Sequence, residues 1–153
     1  MIKYLRQIIL FLVGFCAYIT IEVCFRGYSY LLMGIVGGII LLLIDQINER
    51  ISWNIDLIVY GIIGSSIATL FEFFIGETVK ILHINPMWDY SNLPFNFDGV
   101  ICLPFSLLWI ILSIIGVLIA DAINYYVFEE LPIPYYKIFG KTVIQYKKKH
   151  CKL

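Results

Sequence analysis

The chain has 153 residues, of which 61% are apolar and 14% charged, and its mean hydropathy is +0.88. Soluble domains run at about 45–50% apolar and about 25% charged residues, so this composition excludes an ordinary soluble globule and points to an integral membrane protein. Eleven basic and eleven acidic side chains cancel, which leaves a nucleic-acid partner without electrostatic support.

Four apolar runs approach the length of about 20 residues that a helix needs to cross a hydrocarbon core. They cover about 5–25, 27–44, 57–75 and 99–120. Bare peptide groups cannot be left in hydrocarbon, and the alternation of a barrel is absent, so the expected fold is all-α: a bundle of four transmembrane helices with an ordered extracytoplasmic loop. The membrane domain is expected over 1–128 and a basic cytoplasmic tail over 129–153. Lys3 and Arg6 precede the first run as they would in a signal peptide. No small-x-small cleavage site follows, and Glu22 and Arg26 come next, so a retained helix is expected.

Lys and Arg near the span ends set orientation. Lys3 and Arg6 lie at the N-terminus, Arg50 lies in the 45–56 loop, and the tail holds Lys137, Lys141, Lys147, Lys148, Lys149 and Lys152. Both termini are therefore expected in the cytoplasm of a cell-membrane protein, with the tail resting on the anionic lipid surface. The 76–98 loop is then outside, and Arg26 becomes an outside cation that needs a specific partner.

Lipid gives helices no apolar reason to meet, so small and mildly polar stripes mark the faces that pack. Such stripes are Gly14, Tyr18, Glu22 and Arg26 in the first span and Gly34 with Gly38, flanked by Gly37, in the second. Gly61, Ser65, Ala68, Glu72 and Gly76 form one in the third, and Cys102, Ser106, Trp109, Ser113, Gly116 and Ala120 in the fourth. Glu22 and Glu72 each follow a long uncharged run, which sets them at similar depth near the outer interface. Ionisable residues in spans are costly and face the bundle or water. A binding cluster of Glu22, Arg26 and Glu72, joined by Asp89 or Glu77 from the loop, is therefore expected at the outer mouth. Arg26 is in i,i+4 reach of Glu22.

The 88–99 stretch is the long interruption between apolar runs. Trp88, Tyr90, Phe95 and Phe97 suit an interfacial aromatic belt, Asp89 and Asn92 suit turns, and Asp98 is expected to cap the fourth span. No metal or other cofactor is expected: the four cysteines show no paired spacing, and His83 and His150 stand alone. Cys16, Cys24 and Cys102 are read as apolar packing residues, and Asp45 and Asp121 as interfacial caps. Gly140-Lys141-Thr142 ends like a phosphate loop, but Tyr135 stands where the first glycine is required.

Trp88-Asp89-Tyr90-Ser91, Pro94-Phe95-Asn96, Gly99, Ile101-Cys102-Leu103, Ser106 and Trp109 together resemble the signature of the Putative ABC-transporter type IV family, the CmpB-like proteins. Glu22 with Arg26-Gly27, and Glu72-Phe73 with Gly76-Glu77, are similar to the ends of that family's first and third spans. The chain departs from longer members at Tyr28 to Gly34, where YSYLLMG replaces a Gly-Pro-rich stretch. The resemblance implies a multi-span permease-like membrane protein and singles out Trp88, Tyr90, Ser91 and Asn96 as a loop motif. The expected function is a transport-related subunit that is not an enzyme and whose ATPase is a separate chain, with self-association through the glycine faces as a further possibility. A small enzyme acting on lipid head groups and a non-catalytic scaffold or sensor are the alternatives.

Overall fold

A computed structural model describes residues 2–50, 55–129 and 132–148. The side chain of Arg50, and Lys149, His150, Cys151 and Lys152, lie outside the described residues. Four helices dominate: α1 (Ile2–Arg26), α2 (Leu31–Arg50), α3 (Leu57–Ile81) and α4 (Leu103–Tyr126). Three of them, α1, α3 and α4, are long and apolar enough to cross a membrane, while α2 is apolar over the shorter stretch Leu31–Ile47. The expectation of an all-α fold needs one amendment. Two antiparallel ribbons are present as well, β1 (Asn96–Phe97) with β2 (Ile101–Cys102) and β3 (Tyr135–Ile138) with β4 (Lys141–Gln145).

The helices alternate in direction. Arg6 near the start of α1 meets Asp45 near the end of α2, and Asp45 meets Asn124 near the end of α4. One end of the bundle thus carries the 82–102 loop and the other the β3–β4 hairpin. The closest pairings are α1 with α2 and α3 with α4, and α2 bridges to α3 and α4, whereas α1 and α4 touch sparingly. The small-residue stripes are the contact faces. A Cβ on Gly14 would come 2.6 Å from the Gly37 carbonyl oxygen, and one on Gly64 would come 2.5 Å from Ser113 Cβ, so these backbones approach as only small residues permit. Ser65 Oγ donates to the Ser106 carbonyl at 2.6 Å and Thr69 Oγ1 to Ser106 Oγ at 3.1 Å. The central core gathers Val36, Ile40 and Ile44 of α2, Tyr60 and Ala68 of α3, and Val117 of α4. Cys102 is buried, whereas Cys16 and Cys24 face outward on α1 rather than packing inside.

Several boundaries differ from the expected ones for local reasons. The second helix starts late because Gly27, at φ 84°, turns the chain and Tyr28 and Tyr30 fold back over Arg26. Asp98 does not cap α4. Asp98 and Gly99 lie at φ 54° and 66°, Val100 N–H donates to the Phe97 carbonyl at 3.1 Å, and the pair forms the turn of the β1–β2 hairpin, as Asp-Gly does in type I′ turns. Helix α4 begins instead after Cys102, which makes no side-chain cap, with Pro104 in its first turn.

The hairpin end holds a second correction. Asp45 and Asp121 are not interfacial caps, since they are only 2% and 4% exposed. Asp45 accepts from Arg6 at 3.4 Å and Asn124 at 2.5 Å, and Asp121 accepts from the Tyr136 hydroxyl. Tyr136, 2% exposed, belongs to the core, so the described part of the basic tail is a folded hairpin under the bundle. Asp56 fixes it further: one carboxylate oxygen caps α3 at Ile58 N, 3.0 Å away, and the other accepts from Phe139 N–H in the hairpin turn.

Candidate functional site

At the loop end, α1, α3, α4 and the loop enclose a cavity of about 140 Å³ that Glu22, Arg26, Glu72, Trp88 and Tyr90 line together. The helical phase explains the convergence. Tyr18, Glu22 and Arg26 stack in steps of four on one face of α1, and Glu72 continues the Gly61–Ser65–Ala68 stripe of α3. Glu22 is fully engaged: Oε1 accepts from Arg26 Nη2 at 2.8 Å and Oε2 from Ser29 Oγ at 2.5 Å. Arg26 is engaged too, donating through Nη1 to the Met87 carbonyl at 2.5 Å and through Nε to the Tyr28 carbonyl at 3.3 Å. Its guanidinium carbon sits 4.7 Å from the centre of the Tyr28 ring. Arg26 therefore has the specific partners that the sequence called for, and it ties α1 to the loop.

Glu72 stands differently. It is 5% exposed; Oε1 accepts from the Tyr90 hydroxyl at 3.3 Å, and Oε2 makes no hydrogen bond within the chain. The Trp109 indole N–H faces the same carboxyl without an aligned bond. Two aromatic pairs build the walls: Tyr18 stacks on Trp109 with centroids 5.6 Å apart, and Tyr90 on Phe105 at 4.6 Å.

The loop is a compact knot over this cavity. Trp88 Nε1–H donates to the Val100 carbonyl at 2.8 Å. Asn96 Nδ2 bridges the Ser91 and Leu93 carbonyls at 3.2 and 2.8 Å, and its Oδ1 accepts from Gly99 N–H at 3.2 Å. Lys80 of α3 pins the far side through Asp98 Oδ2 at 2.7 Å, and this ion pair holds the Asp98 carboxyl below its ordinary range. Gly99 is required twice over: by its positive φ, and because a Cβ would lie 2.5 Å from Ser91 Oγ.

The sequence-derived residues thus divide. Glu22, Arg26, Glu72, Trp88 and Tyr90 meet at one cavity. Asp89 does not join them. It is exposed and turned toward Ser91, whose hydroxyl and N–H bond Oδ1 at 2.5 and 2.8 Å and lower the carboxyl's pKa. It lines a separate cleft with Ser91 and Asp98. Glu77 pairs with Lys80 at 3.6 Å, away from the cavity. Ser91 and Asn96 shape the loop rather than the cavity wall. Tyr18 and Trp109 lie on the stripes expected to pack or in part to line a cavity, and they do line it, whereas nothing in the sequence reading singles out Phe105, although its i,i+4 spacing to Trp109 puts it on the same face.

A family model described as Putative ABC-transporter type IV matches residues 9–147. The chain belongs to this family. The match to the type IV family runs from α1 past the end of β4, so it takes in the cavity, its loop cover and the hairpin alike. No curated protein and no solved structure matches the chain.

Proposed function

We infer that the protein is a four-span, multi-pass cell-membrane subunit of an ABC-type transport system, with its ATPase on another chain. Its substrate-facing site is the cavity at Glu22, Arg26 and Glu72, with Asp89 at the rim of the neighbouring cleft, and its termini are cytoplasmic. The observation that carries this reading is Glu72. An ionisable residue inside a span is costly and marks function by default, and Glu72 lines the cavity with one buried carboxylate oxygen that has no hydrogen-bond partner in the chain. Packing accounts for the Glu22–Arg26 pair but not for Glu72. The family supplies the transport label. A separate motor is supported by Gly140-Lys141-Thr142, which forms a hairpin turn and the start of β4, whereas a phosphate loop needs a glycine-rich turn leading into a helix. An enzyme acting on lipid head groups would want a second available carboxylate beside Glu72. Glu22 cannot supply it while both its oxygens are held.

Purifying the tagged full chain from its native membrane in mild detergent tests the reading. A chain with a phosphate loop should co-purify, and its ATP hydrolysis should fall in a Glu72→Gln variant that keeps the complex intact. Recovery of the protein alone, or with further copies of itself only, and with no nucleotide hydrolysis, overturns it.

A further inference from the structure

We propose that the cavity holds an organic cation, an ammonium group on a lipophilic body, with Glu72 as its counter-charge; this deepens the transport reading by naming the substrate class. Three observations converge. The first is charge. Glu22 and Arg26 cancel each other at 2.8 Å, which leaves the Glu72 carboxylate as the uncompensated group on the cavity wall, 5% exposed and with one oxygen unpartnered. A cation entering there completes the charge balance that the chain leaves open. An anion is disfavoured there, because two carboxylates against the single guanidinium leave the cavity wall net negative, and Arg26 already gives three of its five N–H donors to Tyr28, Met87 and Glu22.

The second is the wall. Tyr18, Trp88, Tyr90, Phe105 and Trp109 all line the cavity, and the Tyr18–Trp109 and Tyr90–Phe105 stacks fix four of these rings. Aromatic cages of this composition receive alkylated ammonium groups through the negative faces of the rings. A hard metal ion instead needs several oxygen ligands, and among the described residues no group of three His, Cys, Asp or Glu gathers anywhere.

The third is the route. Ile21, Phe25 and Leu108 line the cavity and are also exposed on the outside of α1 and α4, the two helices that touch sparingly. The seam continues along the bundle as an apolar groove past Tyr18, Ala17, Gly37, Leu112 and Gly116. A lipophilic tail has a path along the seam from the hydrocarbon, while the charged head stops at Glu72.

The test uses purified full chain in a nonionic detergent, because zwitterionic detergents carry the proposed ligand chemistry themselves. Quenching of tryptophan fluorescence is titrated with benzyltrimethylammonium, with its neutral carbon isostere neopentylbenzene, and with benzoate. Saturable binding of the ammonium compound, about ten-fold or more tighter than either of the others, is expected. Glu72→Gln should weaken it about ten-fold and Trp109→Leu should weaken it too, with benzoate unaffected. Equal binding of the cation and its neutral isostere, or tighter binding of benzoate, overturns the proposal, as does an unchanged affinity in a folded Glu72→Gln protein. The three-ligand comparison on unaltered protein stands even if a variant fails to fold. This assay contains no partner chain. Cation binding without a co-purifying ATPase would sink the transport reading alone, and a co-purifying ATPase without cation binding would sink this proposal alone.

Discussion

Glu22 and Glu72 occupy similar places in the sequence pattern and opposite electrostatic situations in the fold. Each follows an uncharged run, so their placement at the same end of the bundle was readable from spacing; which of them is satisfied was not, because that depends on Ser29 and on loop atoms distant in sequence from Glu72. The two are expected to respond to neutralisation with opposite signs. Arg26→Gln leaves the Glu22 carboxylate, whose side chain is 15% exposed, with Ser29 as its remaining partner, and should cost about 1–2 kcal/mol, the order of one lost hydrogen bond to a charged group. Glu22→Gln combined with Arg26→Gln should cost less than the sum of the single changes by about 1 kcal/mol, since partners in one pair couple. Glu72→Gln should hold or raise stability, because it removes a buried charge that the chain leaves half satisfied. Denaturant unfolding of the four variants and the unaltered protein in detergent reads all of this. Strict additivity at Glu22 and Arg26 would mean that their ion pair contributes nothing, and a large loss at Glu72 would mean that its carboxylate is a structural tie.

Among the elements, the helices and their packed faces were readable because each rests on a periodicity: apolar length for the spans and steps of three and four for the glycine and serine stripes. The ribbons were missed because their signals compete with stronger ones. Asp98-Gly99 before an apolar run reads as a helix start as well as a hairpin turn, and pairing of Asp98 with Lys80 settles the choice. In the tail, the run of lysines hid the strand pattern around Tyr136, the side chain that inserts into the core. Burial and the nearby Asp121 carboxylate raise the Tyr136 hydroxyl well above its ordinary value, and burial pushes Tyr146 up to about 12. A raised pKa means that the folded state holds its proton more tightly. The resulting stabilisation is complete below the ordinary tyrosine value of about 10 and is lost as pH climbs above it. The hairpin should therefore loosen in alkali, with trypsin cleavage after Lys137 and Lys141 accelerating above about pH 10. Tyr136→Phe should flatten that rise and lower stability at neutral pH by about 1–3 kcal/mol, since Asp121 loses a donor. A cleavage rate indifferent to both pH and the substitution would contradict docking of the hairpin through this hydroxyl.

For the whole molecule, the question is which side of the membrane the cavity faces. Counting lysines in the sequence favours the hairpin end as cytoplasmic, and the fold shows which of the cations are paired and which are exposed. At the loop end Arg26 is held by Glu22 and Lys80 by Asp98. At the hairpin end Arg6 is likewise held by Asp45, but Lys3, Lys141, Lys147 and Lys148 are exposed. Among the described residues, those four exposed lysines at the hairpin end stand against Lys80 at the loop end, so exposed positive charge points the same way as composition. In a protein with its native cysteines replaced, Asn92→Cys in the loop should react with a membrane-impermeant maleimide on intact cells, whereas Lys148→Cys should react only after permeabilisation. The reverse pattern would put Glu72 on the cytoplasmic side and leave exposed lysines facing outward. Labelling of both sites on intact cells would mean two orientations in one membrane. Either result would separate the cavity from the extracytoplasmic face while leaving its internal geometry, and hence its preference for a cation, unchanged.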